Sequence, residues 1–283
     1  MRILVTGSGG MLGQRLVEQG WRRAHHVIPV DLPSFDLGNP KEAAAIIRAE
    51  APEAVIHTAA LTDVDACESR SDEAMAINGL ALGPLAKAAH EMGAYFLAIG
   101  TDYVFDGEKG EPYTVDDQPN PQTVYGGSKL LGESLALEAG GAVARLSWLF
   151  GPGGGNFVKT MAGLLSEGKD LKVVDDQIGR PTFTRDAAAA IMDLTEARAP
   201  GIWHISNGGW TSWYGFACAI AEGMGLSADE QIRPCSTKEY PRPAARPADS
   251  RLDTSLLDKQ FSALQAWPDA LTQYMEEEGW LVK

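Results

Sequence analysis

Continuous apolar runs of strand length recur through the first half of the chain, at Ile3–Val5, His26–Val30, Ala54–His57, Tyr95–Ile99 and Val143–Leu146. Between them lie stretches with helical character: Lys41–Glu50, Leu80–Met92 and the segment that begins at Tyr125. Strands that alternate with helices predict an α/β fold with a parallel, doubly wound sheet. Right-handed crossovers then gather the carboxyl ends of the strands along one ligand-binding edge. After about residue 150 the rhythm weakens. Gly151-Pro152-Gly153-Gly154-Gly155 breaks the chain, and the Pro/Arg-rich stretch Tyr240–Arg251 can form neither a regular helix nor a central strand. Residues 1–150 therefore read as the sheet domain. Residues 151–283 read as a smaller mixed α/β lobe for substrate, with some segments returning to the sheet.

The first strand runs into Gly7-Ser8-Gly9-Gly10-Met11-Leu12-Gly13. Glycine permits a tight turn and close approach of a pyrophosphate, while the amides and macrodipole of a following helix favour its negative charge. Placed after a strand and before a helix, Gly7, Gly10, Met11, Leu12 and Gly13 predict a dinucleotide site of Rossmann type. Asp31 ends the second strand, where a carboxylate can accept hydrogen bonds from ribose hydroxyls and would repel a 2′-phosphate. Asp36 is a second candidate, on the adenine side. No lysine or arginine lies between Asp31 and Asn39. The cofactor is thus NADH or NADPH, with NADH favoured.

Tyr125 and Lys129 stand four residues apart in Tyr-Gly-Gly-Ser-Lys, on one face of a helix if Tyr125 opens it. A free phenol, with a pKa near 10, is a poor proton donor partner at neutral pH, and a nearby ammonium would lower it. Thr101, at the end of the fourth strand, can add a hydroxyl to a substrate carbonyl. These three are the candidate catalytic residues.

The chain has 283 residues, 45% of them hydrophobic, enough for a sizeable core without disulfides or metals. Its charge of -14, from 24 basic and 38 acidic residues, argues against nucleic acid or an anionic membrane as partner. An anionic small substrate needs only a local basic spot. Cys67, Cys218 and Cys235 fit neither a zinc spacing nor a disulfide framework. The opening Met1–Gly7 is too short for a signal peptide, and no apolar run reaches membrane-spanning length. These readings predict a cytoplasmic protein.

The motifs resemble the extended short-chain dehydrogenase/reductase superfamily and, within it, the dTDP-4-dehydrorhamnose reductase family. The resemblance rests on Ala59–Asp65, Gly100–Phe105, Tyr125–Glu133, Arg145–Gly151, Gly155–Met161, Asp176–Thr182 and Arg246–Leu252, in order and almost end to end. It implies reduction of the C4 ketone of dTDP-4-dehydro-L-rhamnose: hydride from the nicotinamide, the proton from Tyr125, the nicotinamide ribose held by Lys129, and the ketone oriented by Thr101. It further implies cofactor contacts at Leu37, Ala59, Ala60 and Leu61, and sugar contacts at Thr62, Val64, Tyr103, Phe105 and Trp148. Asn156, Arg180 and Arg246 would meet the nucleotide end, where arginine suits a diphosphate.

Some positions depart from the family pattern. His57 stands where many members have asparagine and is assigned no role. Asp249 replaces a common asparagine. Arg15 stands where some members carry a glutamate for a dimer-bridging magnesium, which argues against a metal-linked form of any homodimer; no metal ligand is assigned. Asp102-Tyr103 follows Thr101, where nucleotide-sugar 4,6-dehydratases have Asp-Glu, and this favours a simple reductase. A reductase of another nucleotide-linked 4-keto-deoxysugar, or a non-catalytic NAD(P)-binding regulatory subunit, remains an alternative from sequence alone.

Overall fold

In the computed structural model, which describes residues 1–282, six parallel strands form one sheet. They are β1 (Arg2–Thr6), β2 (His26–Val30), β3 (Ala54–His57), β4 (Tyr95–Thr101), β5 (Ala142–Leu146) and β6 (Gly201–Ile205), in the order β6-β5-β4-β3-β1-β2. The longer helices are α1 (Met11–Arg22), α2 (Pro40–Glu50), α3 (Leu82–Glu91), α4 (Val124–Glu138), α5 (Phe157–Ser166), α6 (Thr184–Ala197), α7 (Trp213–Gly223) and α8 (Trp267–Glu278).

Successive strand residues point to opposite faces, and both faces are covered. Ile3, Val5, Ile56, Leu97, Ala142 and Ala144 pack with α1 and α6. Leu4, Val55, Phe96, Ala98 and Val143 pack with α2 and α3. This double burial explains why the strands are unbroken apolar runs rather than alternating ones. The edge strand β6 and helix α6 come from the second half of the chain, so the sheet domain is completed by residues beyond 150.

The remaining residues build a lobe with its own core. Phe150, Phe183, Phe216 and Tyr274 meet there among α5, α7 and α8. Its strands are short and paired both ways: Leu171–Val174 runs parallel to Ile232–Cys235, and Ile178–Gly179 antiparallel to Thr211–Ser212. Tyr240–Arg251 holds no helix or strand and contributes one isolated bridge, Ile178 to Asp249. No helix among the described residues is long and apolar enough to cross a membrane.

Candidate active site

Strand order reverses at β1, whose neighbours are β2 and β3. A cavity of about 830 Å³ opens at that point, at the carboxyl edge of the sheet. The β1–α1 turn, the segments that follow β2 to β5, the start of α4 and the loop Gly153–Gly155 surround it. Gly7, Gly10, Met11, Leu12, Gly13, Asp31, Asp36, Leu37, Ala59, Ala60 and Leu61 all line it, as do Thr101, Tyr125 and Lys129.

Local chemistry shapes the turn for a dinucleotide. Gly7 has φ 62°, and a Cβ there would sit 2.8 Å from the backbone of Ala59. A Cβ at Gly13 would overlap the carbonyl oxygen of Gly7. Gly10 caps α1 without any side-chain hydrogen bond, which leaves the first-turn amides for an anion. Asp31 does more than end β2: its carboxylate accepts from the amides of Gly9 (2.7 Å) and Leu32 (2.8 Å), fixing the turn from the ribose side. These residues fit a nicotinamide dinucleotide.

On the other wall, Thr123 caps α4 by accepting from the amide of Gly126 (3.0 Å). The helix can sit this close only because residue 126 is glycine, since a Cβ there would overlap the carbonyl oxygen of Tyr103. Asn78 fixes the same helix from below. Its amide donates to Oγ of Ser128 (3.1 Å), and it exchanges hydrogen bonds with the backbone of Leu61 (2.7 and 2.9 Å). One buried asparagine thus sets α4 against the Leu61 wall of the cavity. Thr101 donates to Asp102 (3.2 Å) and accepts from the amide of Tyr103 (3.3 Å). The rings of Tyr103 and Tyr125 meet edge-on with centroids 5.6 Å apart.

Burial dominates the electrostatics. It pushes the Lys129 ammonium down to about 8, against the opposing pull of Glu133. The same effect raises the Tyr125 phenol; Thr101 lowers it, while Asp102, Tyr103 and Cys67 add to the rise. The expected depression of Tyr125 by Lys129 is therefore not present in this structure, because loss of water outweighs any help from the ammonium. Burial likewise pushes the Asp102 carboxyl up to about 6 and the His57 imidazole down to about 3. His57 shares a hydrogen bond with Thr6 (2.9 Å), and its Nε2 has no partner among the described residues.

The expected substrate residues divide. Thr62, Val64, Tyr103 and Trp148 line the cavity. Trp148 does so with a left-handed backbone (φ 45°), held by stacking on Trp213 with centroids 3.5 Å apart. The other four, Phe105, Asn156, Arg180 and Arg246, are not among the residues that line it. Phe105 is fully buried and stacks on Tyr113, with centroids 4.2 Å apart. Asn156 caps α5, accepting from the amide of Lys159 (3.0 Å) and donating to Gly151 (2.7 Å). Arg180 spends its donors on the carbonyls of Asn207, Gly209 and Leu252. Arg246 does not line the cavity but stands over the ring of Tyr103, 6.0 Å from its centroid. Gly153, Gly154 and Gly155 were legible only as a chain break, yet they close the cavity over Met11.

A magnesium site does not fit these residues. The Arg15 guanidinium stands between Glu18 (2.7 Å) and Glu277, and Arg185 also reaches Glu277 (3.2 Å). Protein cations already neutralise the carboxylates there.

A doubly wound sheet, a glycine turn and a Thr-Tyr-Lys constellation in one cavity define a nicotinamide-dependent oxidoreductase of Rossmann type. The family model described as RmlD substrate binding domain matches residues 1–279. The spore coat polysaccharide biosynthesis protein SpsK of Bacillus subtilis is 38% identical over 280 residues, covering 98% of each chain. The dTDP-4-dehydrorhamnose reductase of Burkholderia thailandensis is 39% identical, covering 92% of this chain and 93% of its own. The crystal structure of dTDP-4-dehydrorhamnose reductase from Bacillus anthracis in complex with NADP superposes with a TM-score of 0.93 at 34% identity, covering 98% and 99% of the two chains. The chain belongs to the RmlD family, that of the dTDP-4-dehydrorhamnose reductases.

Proposed function

We propose that this protein reduces the C4 ketone of dTDP-4-dehydro-L-rhamnose to give dTDP-L-rhamnose, using NADH or NADPH. The observation that carries the reading is the meeting of Thr101, Tyr125 and Lys129 with the glycine turn in one cavity. Bound nicotinamide supplies hydride to the carbonyl carbon. Thr101 and Tyr125 hold the carbonyl oxygen, and Tyr125 gives it a proton as negative charge develops. A phenol raised by burial is fully protonated at neutral pH and so ready to donate. Lys129 presents an ammonium to the nicotinamide ribose and to the phenolate that forms.

Thr62, Val64, Tyr103 and Trp148 form the sugar wall in this reading, and Arg246 the approach for the diphosphate. Asp31, with no basic residue through Asn39, supports a preference for NADH over NADPH. Three free cysteines support a reducing, cytoplasmic setting. The test is oxidation of NADH and NADPH by wild type and Tyr125→Phe with dTDP-4-dehydro-L-rhamnose, with the product sugar identified. Wild type should form dTDP-L-rhamnose. Tyr125→Phe should lose on the order of 100-fold or more in kcat while still binding NADH. Unchanged turnover in the variant would sink the mechanism.

A further inference from the structure

One ion cluster outside the reacting centre joins the two halves of the chain beside the cavity. Asp65 follows the cavity residue Val64 in the short helix Val64–Ser69. Its carboxylate accepts from Nε of Arg242 (2.9 Å) and pairs with Nη2 of the same residue. It also accepts from the amide of Ala244 (3.1 Å) and lies 3.1 Å from Nη2 of Arg246. Among the described residues, these are the only polar bonds from residues 241–245 to anything outside Tyr240–Arg251. The far end of that strap is pinned separately: Ala248 accepts from the amide of Ile178 (2.8 Å), and the amide of Asp249 donates to Gly107 (3.2 Å).

Two guanidinium groups on one carboxylate leave a local surplus of positive charge, in a chain whose net charge is -14. That surplus sits next to the reacting centre, because Arg246 lies over Tyr103 and Tyr103 abuts Tyr125. We infer that Asp65 is a resident counter-ion: it holds Arg242, Arg246 and their strap at the cavity mouth, and yields both arginines to the diphosphate of an entering nucleotide sugar. A diphosphate offers more charge and more acceptor oxygens than a carboxylate, and guanidinium forks match it in pairs. Asp65 thereby sets a threshold, since a singly charged or uncharged sugar cannot win the exchange. The inference rests on the nucleotide-sugar reading and names the residue that makes the diphosphate a requirement.

Calorimetric titration with dTDP and with inorganic pyrophosphate tests it, with NADH binding as the check on folding. Arg242→Gln and Arg246→Gln should each weaken dTDP binding about tenfold, and Asp65→Asn should tighten dTDP and pyrophosphate by about three- to tenfold. NADH affinity should stay at the wild-type value in all three. Asp65→Asn that binds dTDP no more tightly than wild type overturns the exchange; if wild type still reduces the ketosugar, the reductase reading stands without it. The expected dTDP shifts without reduction of any 4-ketosugar would uphold the exchange and sink that reading. A wild type that binds neither anion overturns the exchange outright.

Discussion

Lys129 lies near the edge of its charged range, pushed down to about 8 by burial. The pH profile of kcat/KM, which reports the free enzyme, should therefore fall on the alkaline side with an apparent pKa near 8. Glu133 is the group that favours the charged form of Lys129. Removing its charge in Glu133→Gln should move that limb to lower pH; a limb that stays in place would disconnect the two residues. The pair Tyr125 and Lys129 was legible because a four-residue spacing is a statement about one helix face. The ionisation of Tyr125 was not, because spacing carries no information about burial. The positions of Phe105, Asn156 and Arg180 off the cavity lining were not legible for a related reason. A buried ring, a helix cap and an arginine spent on carbonyls have the same letters as residues that meet a ligand.

Among elements, α4 gives a sharp contrast between two adjacent glycines. A Cβ at Gly126 would overlap the carbonyl of Tyr103, whereas nothing lies within 4 Å of one at Gly127. Gly127→Ala should stabilise the protein by up to about 1 kcal/mol through helix propensity. Gly126→Ala should destabilise it and displace Tyr125. Thermal melts of both variants, with turnover measured alongside, check the pair, and equal effects would contradict the close approach. The glycine turn before α1 was readable from sequence because strand, turn and helix follow one another without interruption. The part of Asn78 was not, since it depends on Leu61 and Ser128, which are distant along the chain and meet only through the fold.

Across the whole molecule, the sheet was readable and the lobe much less so. Strands buried on both faces leave unbroken apolar runs, while two-residue strands such as Ile178–Gly179 leave no run at all. The doubly covered sheet also traps His57, and His204 lies buried on β6 between Arg145 (3.4 Å) and the carbonyl of Tyr113 (3.1 Å). Burial holds both imidazoles down at about 3, against about 6.5 in an unfolded chain. Between pH 6 and 4 the unfolded state gains these protons and the folded state does not, so each histidine takes away stability as pH falls. Relative to wild type, His57→Asn or His204→Gln should flatten the dependence by about 1.4 kcal/mol per pH unit in that window. Parallel denaturant titrations at several pH values would reveal it, and unchanged slopes would mean the imidazoles are already charged.

Thr101, Tyr125 and Lys129 all sit on β4 and α4, within the sheet domain, whereas the arginines of Tyr240–Arg251 belong to a strap with no regular structure. In the proposed reading, the proton donor and the arginines for the diphosphate thus come from separate stretches of chain. A descendant of this protein could have its grip on the diphosphate retuned by redrafting a dozen or so strap residues, roughly the length of one surface loop, while inheriting its proton donor unaltered.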